Sequence, residues 1–285
     1  MPVSPLIHPM QPADLHFAAQ CTAAEGWLGE DYFALQSFYL SDPTGCFLAE
    51  LSGRPVGIGI ATSYGQSGFI GELIVRPEDR GKGIGTALLR YSVDYLRRRG
   101  ARTIYLDGMP KAVPLYERNG FRKICRSLRF SGKMSSVPTP HVRSIQNADL
   151  DLVCALDRRA FGADRSFFLR RRLERNPELS WVLLDRDRLL GFILGRRGEG
   201  WLMAGPWVAV EDAPRPECLL QCLSAEAGNT PLSVGVLESN QPAVELIRSL
   251  GFVERGDSPW RMSLGPSSDL GASRLCWAIG SPAKG

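Results

Sequence analysis

The apolar positions between residues 67 and 100 change from one spacing to another. The run FIGELIV (69–75) is short and partly β-branched, which predicts a strand ended by Pro77. Over 84–96, apolar residues recur at helical spacing, which predicts an amphipathic helix that Gly100 ends. The stretch RPEDRGKGIGTALL (76–89) is therefore a turn from a strand into a helix.

The same order of patterns occurs twice along the chain. QPADL (11–15) returns as QNADL (146–150), CFLAELSGRPVGIGIA (46–61) as SWVLLDRDRLLGFILG (180–195), and AVPLYERNGF (112–121) as AVELIRSLGF (243–252). Each copy reads helix, β-hairpin, strand, turn, helix, strand, short helix, strand, which predicts a mixed α/β domain. We therefore expect a tandem duplication, with domains at 1–131 and 141–285. The linker at 132–140 falls in a small, polar, proline-bearing stretch.

Composition narrows the class of protein. The 285 residues suffice for about two domains, and 44% hydrophobic with 22% charged residues is ordinary for a globular protein. A net charge of +4 is too small to indicate a nucleic-acid partner, so the arginine clusters at 97–99 and 170–172 are interpreted as solvated helix faces. Seven cysteines without CxxC spacing and three histidines predict no metal site and reduced thiols in the cytoplasm. No leader or membrane-spanning run is expected, and nothing indicates an oligomeric state.

The turn itself has the chemistry of a phosphate-binding site. Residues 80–85 read RGKGIG at a helix start, where the first amides lack partners and the helix dipole favours an anion. Glycines allow the backbone to approach the anion closely, and Arg80 and Lys82 would add mobile positive charge. The P-loop pattern is absent, and Thr86 replaces the last glycine of the dinucleotide fingerprint.

Two segments together resemble the GNAT acetyltransferases. VRPEDRGKGIGTALL is similar to their [R/Q]xxGx[G/A] pyrophosphate loop, and LDGMPKAVPLYERNGF (106–121) resembles their strand and short helix ending in Tyr-x-x-x-Gly-Phe. The resemblance covers most of 4–131 and, more weakly, 141–264, and it extends to bacterial tandem-domain GNAT proteins. One departure is Met109, where the family often has asparagine. The implied fold class is α/β (α+β), with two tandem GNAT-like domains, each a mixed, mostly antiparallel sheet flanked by helices.

The resemblance implies an acyl-CoA-dependent N-acyltransferase. Acetyl-CoA is the expected donor, no metal is required, and the acceptor is an amine of a small molecule or peptide. The strand backbone would bind the pantetheine arm and the loop amides the phosphates. The implied acyl-CoA contacts are Leu73, Ile74, Val75, Arg80, Gly81, Lys82, Gly83, Ile84, Gly85 and Thr86.

Direct attack of an amine on the thioester requires two proton transfers, one from the amine and one to the departing thiolate. Tyr116 is the implied acid for the departing thiolate, at a cost of about 2 kcal/mol with ordinary pKa values, and a core aromatic is the alternative. Glu72 is the candidate base, directly or through a water; it could equally orient a cationic acceptor or be a surface residue. Asp107 is a second candidate, with a turn or capping role as its alternative.

The second copy lacks these features. Its turn, EDAPRPECLL (211–220), has no glycine, and two prolines remove amides that a phosphate would need. Ile247 stands opposite Tyr116, and Pro206 stands opposite Glu72. We therefore expect a degenerate, inactive domain that packs against the first and closes one wall of the acceptor cleft, where Trp181, Trp201 and Trp207 are candidate contacts or core residues. The extension after Leu264 is expected to add a final strand or turn at 275–279.

Two readings of the whole protein remain open. The leading one is the enzyme, and the other is a non-catalytic acyl-CoA-binding or regulatory module, which would have no need of an acid such as Tyr116. In the family, the early segment holding Trp27, Glu30 and Tyr32 borders the acceptor site, although helix packing explains these residues equally well.

Overall fold

The computed structural model describes residues 4–27, 30–135, 141–198, 200–256, 258–266 and 270–285. The chain forms two compact units. Unit 1 contains the residues up to 123 with 262–268 and 284, and unit 2 contains 124–261, 269–283 and 285. The division of the sequence at 131 and 141 stays a prediction, and residues 136–140 of its linker lie outside the described residues.

The first copy of the repeat folds as an alternation of strands and helices. In chain order it forms β1 (Leu6–Pro9), α1 (Asp14–Ala24), α2 (Tyr32–Ser41), β2 (Cys46–Leu51), β3 (Arg54–Tyr64), β4 (Ser67–Val75), α3 (Ile84–Arg98), β5 (Thr103–Gly108), α4 (Val113–Arg118) and β6 (Arg122–Gly132). The sheet of unit 1 includes β1-β2-β3-β4-β5; among the described pairings of these five strands, β4 with β5 is parallel and the others are antiparallel. The predicted strand and amphipathic helix are β4 and α3. The helix packs on the sheet closely because Gly68 has no side chain: a Cβ there would lie 2.8 Å from Leu96.

The second copy repeats this order and extends it. Its elements are β7 (Val142–Ser144), α5 (Leu150–Phe161), α6 (Ser166–Arg175), β8 (Ser180–Asp185), β9 (Arg188–Gly198), β10 (Trp201–Ala209), α7 (Glu217–Ala227), β11 (Leu232–Leu237), α8 (Gln241–Ser249), β12 (Val253–Glu254), β13 (Trp260–Leu264) and β14 (Cys276–Ala278). The sheet of unit 2 includes β6-β11-β10-β9-β8-β7; among the described pairings of these six strands, β10 with β11 is parallel and the others are antiparallel. The strand expected at the C-terminal extension is β14.

The two copies exchange the strands that follow their short helices. Strand β6 of the first copy pairs antiparallel with β11, from Ser127 opposite Leu237 to Gly132 opposite Leu232, and therefore belongs to unit 2. In the second copy the corresponding residues are 262–264 of β13, which lie beside β5 in unit 1. The sequence predicts a strand at each place, but local pattern carries no information about which sheet accepts it.

Three further observations concern the whole described chain. All seven cysteines are free thiols. Among the described residues, no cluster of three or more His, Cys, Asp or Glu is arranged to hold a metal ion. Within the same residues, none of the helices has the length and apolar character needed to cross a bilayer.

Candidate active site

Strands β4 and β5 of unit 1 start as neighbours and then part. Their paired residues run from Ser67 with Thr103 to Phe69 with Tyr105. Beyond that point β4 continues to Val75 and β5 to Gly108 without pairing to each other in the described register. The strand ends 70–75 and 106–108 therefore border a gap in the sheet.

Glu72 lies at an irregularity on the edge of this gap. Gly59 of β3 stands opposite two residues of β4, Glu72 and Leu73, which is a β-bulge. The backbone of Glu72 has φ +47°, a left-handed conformation that costs a non-glycine residue on the order of 1–3 kcal/mol. Its side chain is only 4% exposed. The interpretation of Glu72 as a surface residue is therefore wrong.

Asp107 lies on the other edge of the gap. It is half-buried and belongs to β5, two positions past the last residue paired with β4. It lies within a strand and not in a turn. The two candidate carboxylates thus lie on the two strand ends that border the same gap.

Tyr116 closes one end of this region. Its ring lies against Gly108, where a Cβ would be 2.9 Å from the ring, and it makes an edge contact with Phe121, with centroids 6.1 Å apart. Burial raises the pKa of Tyr116 to about 12. Relative to a thiol of ordinary pKa, this increases the cost of proton transfer from about 2 to about 5 kcal/mol. Burial also raises the pKa of a thiol in the same surroundings, which reduces the difference between the pKa values of the phenol and the thiol.

The glycine turn after β4 has the open geometry that the sequence predicts. Gly81 and Gly83 have φ of +78° and +81°, and a Cβ on either would have nothing within 4 Å. Gly83 is the N-cap of α3, so the first amides of the helix face away from its own carbonyls. The start of α3 also lies close to the end of β4 and to α4. A Cβ added to Gly85 would be 3.7 Å from Val75 and 3.6 Å from Leu115 of α4. The turn therefore combines an open backbone with the N-terminus of a helix.

The two cations of the turn, Arg80 and Lys82, pair with carboxylates of the same unit. Lys82 Nζ donates to Asp79 at 2.8 Å, and Arg54 donates to both oxygens of Asp79 at 2.9 Å. Hydrogen bonds from Lys82 and Arg54 keep the pKa of Asp79 below its ordinary value, against the effect of burial. Arg80 donates from Nε to the Val75 carbonyl at 2.9 Å and from its guanidinium to Glu25.

Glu25 is a site residue that the sequence analysis missed. It follows α1 and accepts hydrogen bonds from Arg80 and, at 3.1 Å, from Lys111. Arg80 follows β4 and Lys111 follows β5, so this one carboxylate bridges the ends of the two separated strands. Burial raises the pKa of Glu25, but the hydrogen bonds from Lys111 and Arg80 outweigh it and lower the pKa below its usual range. Sequence separations of 55 and 86 residues leave no local signal for this contact.

The segment after α1, up to the first residue of α2, holds the three residues considered for the acceptor. Glu30 is buried, and Thr22 Oγ1 donates to its carbonyl oxygen at 2.8 Å. Trp27 is half-buried, and Tyr32 stacks on His16 with ring centroids 4.8 Å apart. Packing of α1 on α2 accounts for the stack of Tyr32 on His16.

Unit 2 keeps the strand geometry of this site without its chemistry. Strands β10 and β11 pair only from Leu202 with Leu232 to Ala204 with Val234, and a bulge follows in β10. Pro216 is the N-cap of α7 where unit 1 has Gly83 before α3, and Ile247 is fully buried in the apolar core. Trp207 is also a core residue, with Trp181 packed against the same core.

The repeated fold and the glycine turn are typical of an acetyltransferase that has two domains of the same family. Residues 13–121 match the model of the acetyltransferase (GNAT) family, and residues 153–275 match that of an acetyltransferase (GNAT) domain. The chain belongs to the GNAT acetyltransferases, with two GNAT domains in tandem, as the sequence resemblance indicated.

Individual relatives agree with this placement. The solved structure of a candidate acetyltransferase from Pyrococcus horikoshii superimposes with a TM-score of 0.83 and 26% identity, over 99% of this chain and 96% of that one. Holothin acyltransferase from Pseudoalteromonas sp. is 24% identical over 77% of this chain and 74% of its own length. A mycothiol acetyltransferase from Thermobispora bispora is 38% identical over 34% of this chain and 36% of its own length. The chain thus spans about a third of that last protein.

Proposed function

We propose that unit 1 transfers an acyl group from acyl-CoA, with acetyl-CoA as the donor, directly to an amine of a small molecule or peptide. The observation that carries this proposal is the coincidence of two features at one place. The gap between β4 and β5 opens toward the glycine turn that begins α3. An acyl-CoA molecule with its thioester arm in the gap and its diphosphate on the turn would require the gap and the turn to adjoin in this way.

In this proposal the chain binds the donor mainly through its backbone. Residues 73–75 would pair with the pantetheine arm, and the amides of residues 80–86 would hold the diphosphate. Hydrogen bonds to a charged group contribute on the order of 1.5–3 kcal/mol each, so several give micromolar affinity after the cost of association. The open space beside Gly81 and Gly83 supports this placement.

The transfer step needs a free amine lone pair and an acid for the leaving thiolate. The amine nitrogen attacks the thioester carbonyl, the carbon–sulfur bond breaks, and the sulfur takes a proton from the Tyr116 hydroxyl. Glu72 or Asp107 would accept the proton that the amine loses, directly or through a water.

The acceptor is proposed only as a class. Two buried carboxylates, Glu30 and Glu72, suit a cationic amine, and the names of the relatives support acyl transfer while leaving the acceptor open. Unit 2 is proposed to be inactive, because Pro216 replaces the glycine N-cap and Ile247 replaces the acid.

Calorimetric titration with acetyl-CoA and with CoA tests the donor site. We expect one equivalent per chain and about a tenfold weaker Kd in a Gly81→Ala, Gly83→Ala variant, since the added Cβ atoms fill the space for the diphosphate. Gly53→Ala is the matched control, because Gly53 has φ +73° and an equally open Cβ position in a hairpin of the same unit. Absence of binding overturns the proposal. Binding without thiol release from any amine in a broad panel favours the regulatory module.

A further inference from the structure

The gap in the sheet of unit 2 contains a strand of the chain itself. Beyond the last paired residues of β10 and β11, strand β14 pairs antiparallel with β10, with Trp207 opposite Ala278 and Val208 opposite Cys276. On its other side, the Ile279 amide donates to the Gly235 carbonyl of β11 at 2.9 Å. Strand β14 therefore fills the position that is a gap in unit 1.

The contacts with this strand are made largely to its main chain. The Ala209 amide donates to the Leu275 carbonyl at 3.0 Å, and Arg172 donates to the Gly280 carbonyl at 2.9 Å. Asn240 Nδ2 donates to the carbonyls of Cys276 at 2.9 Å and Arg274 at 3.2 Å. Asn240 precedes α8 at the position that Met109 holds before α4, so unit 2 has the amide side chain that unit 1 lacks.

The walls of the gap are shaped around the side chains of the strand. A Cβ at Gly235 would lie 2.9 Å from Ile279 Cγ1, and one at Gly205 would overlap the Ile279 carbonyl oxygen. Trp277 packs on Trp207 with ring centroids 5.5 Å apart, and Ala278 is fully enclosed. Such contacts select a small residue at 278, an aromatic one at 277 and an aliphatic one at 279.

We infer that unit 2 is a peptide-binding domain: its gap accepts an extended polypeptide by strand addition, and residues 274–280 are its resident ligand. Main-chain hydrogen bonds on both edges supply affinity and the side-chain positions supply selectivity, as in other strand-addition sites. This inference concerns a different unit from the proposed transferase site and does not depend on it.

Cutting the chain before β14 distinguishes a bound peptide ligand from a strand that the fold requires. A protease recognition sequence inserted after Pro266 is cut in the folded protein, and a fluorescent synthetic peptide of residues 270–283, which all belong to unit 2, is added. We expect the cut segment to stay bound through gel filtration and to exchange with the labelled peptide, raising its anisotropy, whereas the uncut chain takes up none.

Two variants define what the groove recognises. Asn240→Asp keeps an oxygen that can cap α8 but removes the Nδ2 group that donates to the carbonyls of Arg274 and Cys276. We therefore expect at least about tenfold weaker peptide binding. Asn229→Asp makes the same change at an exposed residue of unit 2, where Lys133 is the partner, and is expected to leave peptide binding unchanged.

Three results overturn the inference. The cut protein loses its folded circular-dichroism signal, which makes β14 an indispensable core strand. It stays folded but takes up no labelled peptide. It releases the segment and then binds a second equivalent of acetyl-CoA, which makes the gap a donor site.

Discussion

Tyr116 illustrates how one side chain is adjusted by what surrounds it. Its ring fills the space beside Gly108, and the resulting burial holds the phenol in its protonated form. A protonated phenol is the form that an acid for a leaving thiolate must have. The same burial makes it a weaker acid, so the proposed proton transfer is easier when the thiolate forms in equally buried surroundings.

Tyr116→Phe is therefore expected to lower kcat by about 100-fold, the loss typical of a general acid, with an unchanged Kd for acetyl-CoA. Because the pKa is raised to about 12, loss of the acid form begins only above about pH 10, and the wild-type rate should show no alkaline decline below that pH. Thiol release measured against pH checks both points. Tyr91→Phe, on α3 against Phe47, is the control, and equal rates for the two variants would remove Tyr116 from the mechanism.

Glu25 is an internal anion between two cations that flank the gap. We expect Glu25→Gln to tighten acetyl-CoA binding by up to about fivefold, because the exposed cations Arg80 and Lys111 become available to the phosphates and an ion pair of an exposed cation is worth about 1 kcal/mol. Glu78→Gln removes the same charge from an exposed partner of Arg76 in the same turn. Calorimetry compares the two, and weaker binding in the Glu25 variant alone would show that this carboxylate orients Arg80 for the donor.

At the scale of elements, Gly265 shows what holds the exchanged strand of unit 1. This residue follows β13 with φ +111°, and a Cβ there would overlap the Arg102 carbonyl oxygen. Nearby, Thr103 Oγ1 donates to the Pro266 carbonyl at 2.6 Å. The chain can approach β5 here only without a side chain.

We expect Gly265→Ala to cost about 3 kcal/mol or more of unfolding free energy, since strain and overlap act together. Gly251→Ala, with φ +82° and an open Cβ position, should cost only about 1–2 kcal/mol from backbone conformation. Urea unfolding followed by circular dichroism measures both. Equal losses would mean that the overlap at Gly265 is relieved by movement of the turn.

The sequence predicted the elements better than their partners. The glycine turn, α3 and the short helix with Tyr116 were predictable because their signals are local: glycine, proline and helical spacing. The burial of Glu72 was not, because a bulge is a property of two paired strands and leaves no mark on either alone. Glu25 and Asn240 act on residues distant in the chain, so only the folded structure brings out their roles.

For the whole molecule, the strand exchange means that neither unit is a continuous piece of chain. Unit 1 needs residues 262–268, and β6 belongs to the sheet of unit 2. A repeat of two similar domains would ordinarily be separable at its linker. Here a cut at the predicted linker leaves unit 1 without its last strand.

An isolated fragment of residues 1–131 is therefore expected to aggregate or remain partly unfolded, because β5 keeps an uncovered edge and β6 has no sheet to join. Residues 1–123 joined to 260–268 by a Gly/Ser linker should fold and bind one equivalent of acetyl-CoA. Gel filtration, circular dichroism and calorimetry compare the two fragments. Donor binding by 1–131 with the affinity of the full chain would contradict this role of the exchanged strand.

The exchange also determines when the protein can fold on the ribosome. The last piece of unit 1 is translated after nearly all of unit 2, and at ordinary elongation rates synthesis of residues 132–268 takes on the order of 10 s. Throughout that interval the nascent first half exposes the edge of β5, which is a substrate for chaperones or for a neighbouring nascent chain. The two halves are thus obliged to mature together, and the half without a glycine turn completes the half that has one.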